Sequence, residues 1–246
     1  MDAHRTETDW AGVALGLAVA SLAAFQMLKL APALPVLIAD YGYSRVLAGA
    51  MMSIYAVAAL LLLLLAGGML ARRPALTLAT GLGCFVIGNC ATLLWPDKGS
   101  LVLGARAVEG VGYAVLAIAG PVISNRSAAE RHHPFVAGVA AVWVPVGQIT
   151  ALVAARFTLA DIGWQALWWL SLALVALLAL WLALRWTGVR EAMSGIATGG
   201  TIRWSRPERA AIWVAAVTFG IWSGQYIAFM TWLPDYFVGR GAGAET

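Results

Sequence analysis

Residues 101–123 read LVLGARAVEGVGYAVLAIAGPVI, an apolar run interrupted by two charged residues, Arg106 and Glu109. A helix rises about 1.5 Å per residue, so about 20 residues cross a hydrocarbon core of about 30 Å. A strand of a membrane barrel would be shorter and would alternate between apolar and polar residues. The stretch therefore predicts a transmembrane helix that carries two charges into the bilayer.

Six further apolar segments of similar length flank this one, separated by turn-forming clusters such as PDKGS at 96–100. The predicted spans are residues 10–38, 46–70, 75–95, 101–123, 135–155, 164–184 and 210–233. Hydrophobic residues make up 61% of the chain and charged residues 11%, against about a quarter charged in a soluble domain. In lipid every backbone polar group needs a partner within the chain, which a helix provides. The sequence predicts an all-α integral membrane protein with seven crossings.

A polar, basic segment after the sixth span divides the predicted organisation into three parts. These are an N-terminal six-helix bundle at 1–184, a cytoplasmic loop at 185–209, and a seventh helix with a short outer tail at 210–246. Positive residues are enriched in cytoplasmic loops, so their distribution sets the orientation. Ten arginines fall on the N-terminal side and four cations on the other, which predicts a cytoplasmic N-terminus. The first group is Arg5, Arg72, Arg73, Arg126, Arg131, Arg185, Arg190, Arg203, Arg206 and Arg209, and the second is Arg45, Lys98, Arg156 and Arg240.

Several function classes are disfavoured by the residues present. The isoelectric point of about 9.4 comes from these loop arginines and does not indicate nucleic-acid binding. Cys84 and Cys90 lie in one span and point to different faces, which predicts packing and no disulfide. His132 and His133 have no ligand partners nearby in the sequence. With no phosphate-binding loop or nucleophile arrangement, the sequence predicts no enzyme, no cofactor and no metal site.

Three charged residues fall inside predicted spans: Lys29, Arg106 and Glu109. A charge at the bilayer centre costs at least about 2.5–3.5 kcal/mol, so each is a functional-site hypothesis. Arg106 and Glu109 are three apart, share a helix face and are expected to pair. The helical rise places Lys29 at a depth similar to that of Glu109. The alternative is a purely structural Arg106–Glu109 pair with Lys29 extending outward to the interface.

Short motifs in order along the chain carry a family resemblance. Residues 106–113, RAVEGVGY, are similar to an R-x-x-x-G-x-G signature, and residues 163–168, GWQALW, to a G-W-R-x-x-[FW] motif. With residues 29–44, 125–131, 143–148 and 231–234, the sequence resembles the major facilitator superfamily. The pair RAVEGVGY and WVPVG most resembles its cyanate and nitroimidazole permease branch. One departure is GMLARRP at 68–74, where the family has G-x-L-a-D-R-x-G-R and Arg72 replaces its aspartate.

The resemblance implies a secondary transporter of the inner membrane that works by alternating access. It implies that the first and fourth spans line a central cavity. Lys29 and Arg106 facing such a cavity are predicted to attract a small, anionic solute, with Glu109 either holding Arg106 in place or carrying a coupling proton. Further predicted solute-binding residues are Gln26, Tyr113, Trp143, Gln148 and Gln225. The family has twelve helices in two halves, and this chain corresponds to the first half plus one helix. The alternative is a non-transporting half-transporter that serves as a structural subunit of a larger membrane assembly, with a second half-transporter or other membrane subunits as partners.

Overall fold

The computed structural model describes residues 7–194 and 204–241, and within those ranges it consists of helices joined by short turns. The helices are α1 (Trp10–Leu28), α2 (Leu30–Tyr41), α3 (Arg45–Arg72), α4 (Pro74–Leu94), α5 (Gly99–Ser127), α6 (His133–Ala140), α7 (Trp143–Thr158), α8 (Gln165–Leu184), α9 (Trp186–Ser194) and α10 (Arg206–Gly239). In these described ranges seven segments are long and apolar enough to cross a membrane. The predicted all-helical membrane architecture is confirmed.

The first span is broken in its middle. α1 and α2 together form the span Trp10–Tyr41, and the interruption falls at Lys29. Pro32 has no backbone N–H for the carbonyl of Leu28, and this missing hydrogen bond weakens the helix one turn earlier. The sequence predicts kinks at the prolines of this span, and the structure places the break so that a charged residue occupies it.

The fifth span is also interrupted. A 3₁₀ turn at Glu130–His132 leads into α6, and α7 begins after a two-residue turn at 141–142. Pro145 lies in the first turn of α7, where its missing N–H is tolerated but prevents a continuous helix from α6. The span covers Glu130–Thr158 and is therefore longer at both ends than the predicted 135–155.

α5 lies in the middle of the bundle and packs against α1, α3 and α4. A Cβ atom added to Gly120 would lie 2.7 Å from the carbonyl oxygen of Gly16, and one on Gly110 would lie 2.5 Å from that of Tyr55. Only glycine permits this contact between backbones, as is common where membrane helices cross. From the sequence, Gly104, Gly110 and Gly112 are all expected to allow close approach of another helix, but a Cβ at Gly104 would meet no described atom within 4 Å. That expectation is wrong for Gly104 because it lies on an outward face.

The ends of the helices lie at two opposite faces of the bundle, as expected for seven consecutive crossings. On one face Asp9 accepts hydrogen bonds from Arg185 at 2.5 and 2.6 Å, and its backbone N–H donates to Ser127. On the other face Arg45 pairs with Asp235 at 3.3 Å. There the hydroxyl of Tyr43 donates to the carbonyl of Pro96, and burial raises the pKa of Tyr43 to about 12.

Two helices differ from the predicted pattern after the sixth span. α9 lies within the predicted loop 185–209, and it buries Val189 and Met193 in the core of the bundle. α10 begins at Arg206, earlier than predicted, because Ser205 and Glu208 form a capping box there. It extends to Gly239 and packs against α2. The seventh span therefore contacts α2, the second half of the first span.

Candidate functional site: a buried charge cluster

The three charged residues of the predicted spans meet inside the bundle. Lys29 occupies the break between α1 and α2, and Arg106 and Glu109 lie on successive turns of α5. All three side chains have 0% exposure. We call these three residues the charge cluster.

Glu109 bridges the two cations of the charge cluster. Its Oε1 lies 3.3 Å from Nζ of Lys29, and its Oε2 accepts a hydrogen bond from Nη1 of Arg106. The predicted pairing on α5 and the predicted common depth of Lys29 and Glu109 are both confirmed. The alternative in which Lys29 extends outward to the interface is wrong, because its ammonium group turns into the bundle.

Arg106 also binds the end of α1. Its Nη1 donates to the carbonyl of Gln26 and its Nη2 to the carbonyl of Met27, both at 3.1 Å. The last carbonyls of a helix have no partner within it and carry partial negative charge, so a guanidinium there satisfies and neutralises them. The Cζ atom lies 4.3 Å from the ring centre of Tyr55 on α3. Arg106 thus joins the break in the first span to α5 and α3.

Polar groups from three helices surround the ammonium of Lys29. Its Nζ donates to Gln26 Oε1 at 2.6 Å, to Asn89 Oδ1 at 2.5 Å and to Ser171 Oγ at 3.4 Å. The ring of Trp168 lies 5.1 Å away. The sequence prediction included Gln26 but not Ser171, Trp168 or Tyr55. The signal for Ser171 was present, because it is the single hydroxyl-bearing residue in the otherwise apolar stretch 166–184.

The other predicted residues lie on α5, α7 and α10. The ring of Tyr113 lies 5.5 Å from that of Tyr55 and 6.1 Å from that of Trp143. Gln148 on α7 accepts a hydrogen bond from the hydroxyl of Tyr226 on α10. Gln225, the neighbour of Tyr226, is exposed. Tyr113 is therefore linked to the charge cluster through Tyr55, with Trp143 one ring further away, whereas Gln148 lies at a contact of α7 with α10 and Gln225 is exposed beside that contact.

The cluster has more hydrogen-bond donors than acceptors. Among the described residues of the cluster and its direct neighbours, four buried polar atoms lack a partner: Gln26 Nε2, Tyr55 OH, Arg106 Nε and Trp168 Nε1. Every one of them can donate a hydrogen bond, and three cannot accept one. Two cations and one carboxylate also leave one net positive charge. Buried polar groups are normally paired, so the unpartnered donors leave room for further hydrogen-bond acceptors here.

Gly88 on α4 makes room for the carboxylate. A Cβ atom at this position would collide with Cγ of Glu109 and would lie 2.9 Å from the carbonyl oxygen of Ala105. Glycine is therefore required here if Glu109 is to reach both cations.

In the described part of the chain, seven apolar spans and a set of buried, paired charges define a multi-pass membrane protein with polar chemistry inside the helix bundle, as in proteins that move solutes across membranes. The sequence profile of the Major Facilitator Superfamily matches residues 14–245, and the chain belongs to that superfamily. Its members are transporters of small solutes in the lipid bilayer, so the chain is assigned to the secondary transporters. No curated protein matches it.

Proposed function

We propose that this protein carries a small anionic solute by alternating access, with Lys29 and Arg106 attracting the anion and Glu109 carrying a coupling proton. The observation that carries the proposal is the net positive, donor-rich charge cluster at the break of the first span. A buried charge without a counter-charge is costly, so an anion that supplies acceptors is favoured there over an uncharged solute.

Protonation of Glu109 and binding of the anion are proposed to favour each other. In the described state its carboxylate is shared between Lys29 and Arg106. A proton on Glu109 removes that negative charge and leaves two cations facing the site. Protonation therefore strengthens anion binding, and by linkage a bound anion strengthens protonation. The proposed mode is co-transport of the anion and the proton in the same direction.

The surrounding aromatic and amide groups supply the proposed outer lining of the site. Tyr113 and Trp143 continue from the Tyr55 ring, and Gln148 and Gln225 lie further along α7 and α10. In this mode the six-helix bundle at 1–184 forms one wall of the transport path. The protein lies in the inner membrane with its N-terminus in the cytoplasm. We also propose, from the likeness of RAVEGVGY and WVPVG, that the protein belongs to the cyanate and nitroimidazole permease branch of the superfamily.

The test is uptake into proteoliposomes that contain the purified protein. The probes are radiolabelled acetate, succinate, phosphate and sulfate, with glycerol and glucose as uncharged controls. We expect uptake of at least one anion and none of the uncharged solutes. Lys29→Ala and Arg106→Ala should each reduce that uptake at least tenfold, while Lys98→Ala, which removes a cation from a loop, should not. Unchanged uptake in both cluster variants would overturn the anion site.

A further inference from the structure

A second group of charges surrounds a cavity of about 380 Å³ at the face opposite the N-terminal segment. Arg45 contributes from the start of α3, and the rest of the lining comes from the end of α10. The α10 residues are Trp232, Asp235, Tyr236, Gly239 and Arg240. We call this cavity the outer pocket.

The outer pocket is also net positive. Nη2 of Arg45 lies 3.3 Å from Asp235, and Cζ of Arg240 lies 5.2 Å from the ring centre of Tyr236. Two guanidinium groups carry ten N–H donors between them, and a single carboxylate cannot accept from all of them. The Arg45 side chain is 74% exposed, so it is accessible to a solute arriving from water. The pocket has the charge and the donors that an anion requires.

One face of α10 runs from the outer pocket toward the break of the first span. Ile227 packs against the buried cluster of Met27, Leu28 and Tyr55 at that break. Thr231 and Asp235 follow at intervals of four residues, which places all three on the same face of the helix. Eight residues span about 12 Å at the helical rise. The pocket therefore lies about two helical turns from the residue of α10 that packs beside the break of the first span.

We propose that the outer pocket is a recruitment site for the transported anion, at which Arg45 and Arg240 bind the solute before it reaches the charge cluster. This rests on the proposed anionic solute. Positive charge at the mouth of a pathway raises the local anion concentration and the rate of capture, and the effect weakens with ionic strength. Arg45 exchanges its contact with Asp235 for the anion when the solute binds.

The competing explanation is that Arg45 and Asp235 only tie α3 to α10. The two explanations give opposite results for one variant. If the ion pair only holds α3 against α10, Asp235→Asn disturbs the pocket as Arg45→Gln does, and both variants weaken protection by anions. If the pocket binds anions, Asp235→Asn strengthens binding, because it removes the competing carboxylate and leaves both arginines in place.

The experiment measures protection of a single cysteine in the pocket. Gly239→Cys is introduced into a chain with Cys84→Ala and Cys90→Ala, because a Cβ at Gly239 meets no described atom within 4 Å. Its modification by sulfonatoethyl methanethiosulfonate is timed at constant ionic strength with acetate, succinate, phosphate or sulfate replacing chloride. Lys98→Gln is the matched control, since it removes one cation from the same face outside the pocket.

We expect at least one of these anions to slow modification. Its half-protecting concentration should rise about tenfold with Arg45→Gln, the effect of one lost charge-assisted hydrogen bond, and fall with Asp235→Asn. Lys98→Gln should leave it unchanged. The recruitment site is contradicted if no anion protects, or if Arg45→Gln and Asp235→Asn both weaken protection. Protection without uptake in proteoliposomes would instead contradict the proposed transport and leave the pocket as an anion-binding site.

Discussion

Nζ of Lys29 lies 3.3 Å from Oε1 of Glu109, although the two residues are 80 positions apart and neither side chain has exposed surface. The contact joins the break of the first span to the middle of α5. Because Glu109 also accepts from Arg106, one carboxylate holds two cations inside the bundle. The stability and the charge of the cluster therefore depend most on Glu109.

Removing the carboxylate should be more harmful to stability than removing one cation. Glu109→Gln leaves two buried cations without a counter-charge, and breaking a buried pair in this way costs about 3–5 kcal/mol. Lys29→Met leaves the Arg106–Glu109 pair, which is neutral overall. We expect a clearly lower melting temperature in detergent for Glu109→Gln than for Lys29→Met, measured by fluorescence-detected size exclusion. The reverse order would show that Glu109 does not compensate both cations.

A matched pair of glycine substitutions tests the close packing of the cluster. Gly88→Ala places a methyl group against Glu109, and overpacking of this kind costs about 1–3 kcal/mol. Gly104→Ala adds the same group where no described atom lies within 4 Å, and it should stabilise α5 by about 0.5–1 kcal/mol. Thermal unfolding of both variants in detergent gives the comparison. Equal effects at the two positions would contradict the packing around Glu109.

Asp9 has two separable roles at the start of α1. Its Oδ1 accepts from the backbone N–H of Gly12 at 3.0 Å, and both carboxylate oxygens accept from Arg185. Asp9→Asn retains the cap and loses the ion pair, whereas Asp9→Ala loses both, with the cap contributing about 1 kcal/mol. We expect the melting temperature to fall in the order wild type, Asp9→Asn, Asp9→Ala. Equal losses in the two variants would mean that Asp9 stabilises the fold through Arg185 alone.

The docking of α10 can be tested by chemical cross-linking. Tyr226 contacts Gln148, while Gln225 is rotated about 100° away on the helix. In a chain with Cys84→Ala and Cys90→Ala, the pair Gln148→Cys and Tyr226→Cys should react with a short bifunctional maleimide in membranes. The pair Gln148→Cys and Gln225→Cys should react several times more slowly. Similar rates for both pairs would show that α10 does not present Tyr226 to α7.

The sequence was sufficient to predict the spans and the pairing within α5, because both depend on local regularities. Length and apolar composition define a crossing, and a spacing of three residues places Arg106 and Glu109 on one face. α9 was not predicted because its nine residues are too short for a search based on spans of about 20 residues.

The partners of Lys29 were harder to predict, for a physical reason. Asn89 and Ser171 lie on helices that are apolar on every side, so their sequences contain no amphipathic period that fixes helix rotation. Rotation is set by packing, including the glycine contacts of α5. The position of the break at Lys29 has a similar origin, since Arg106 holds the last carbonyls of α1 from another helix.

Glu109→Gln separates binding of the anion from its coupling to protons when net uptake and exchange are both measured. In the proposed mechanism the charge cluster binds the anion and Glu109 carries the proton that moves with it. In proteoliposomes with an inward proton gradient, wild-type protein should accumulate the anion, whereas Glu109→Gln should lose gradient-driven accumulation and retain pH-independent exchange of labelled for unlabelled anion. If Glu109→Gln still accumulates the anion in response to the proton gradient, Glu109 is not the coupling residue and the proposed mechanism is contradicted.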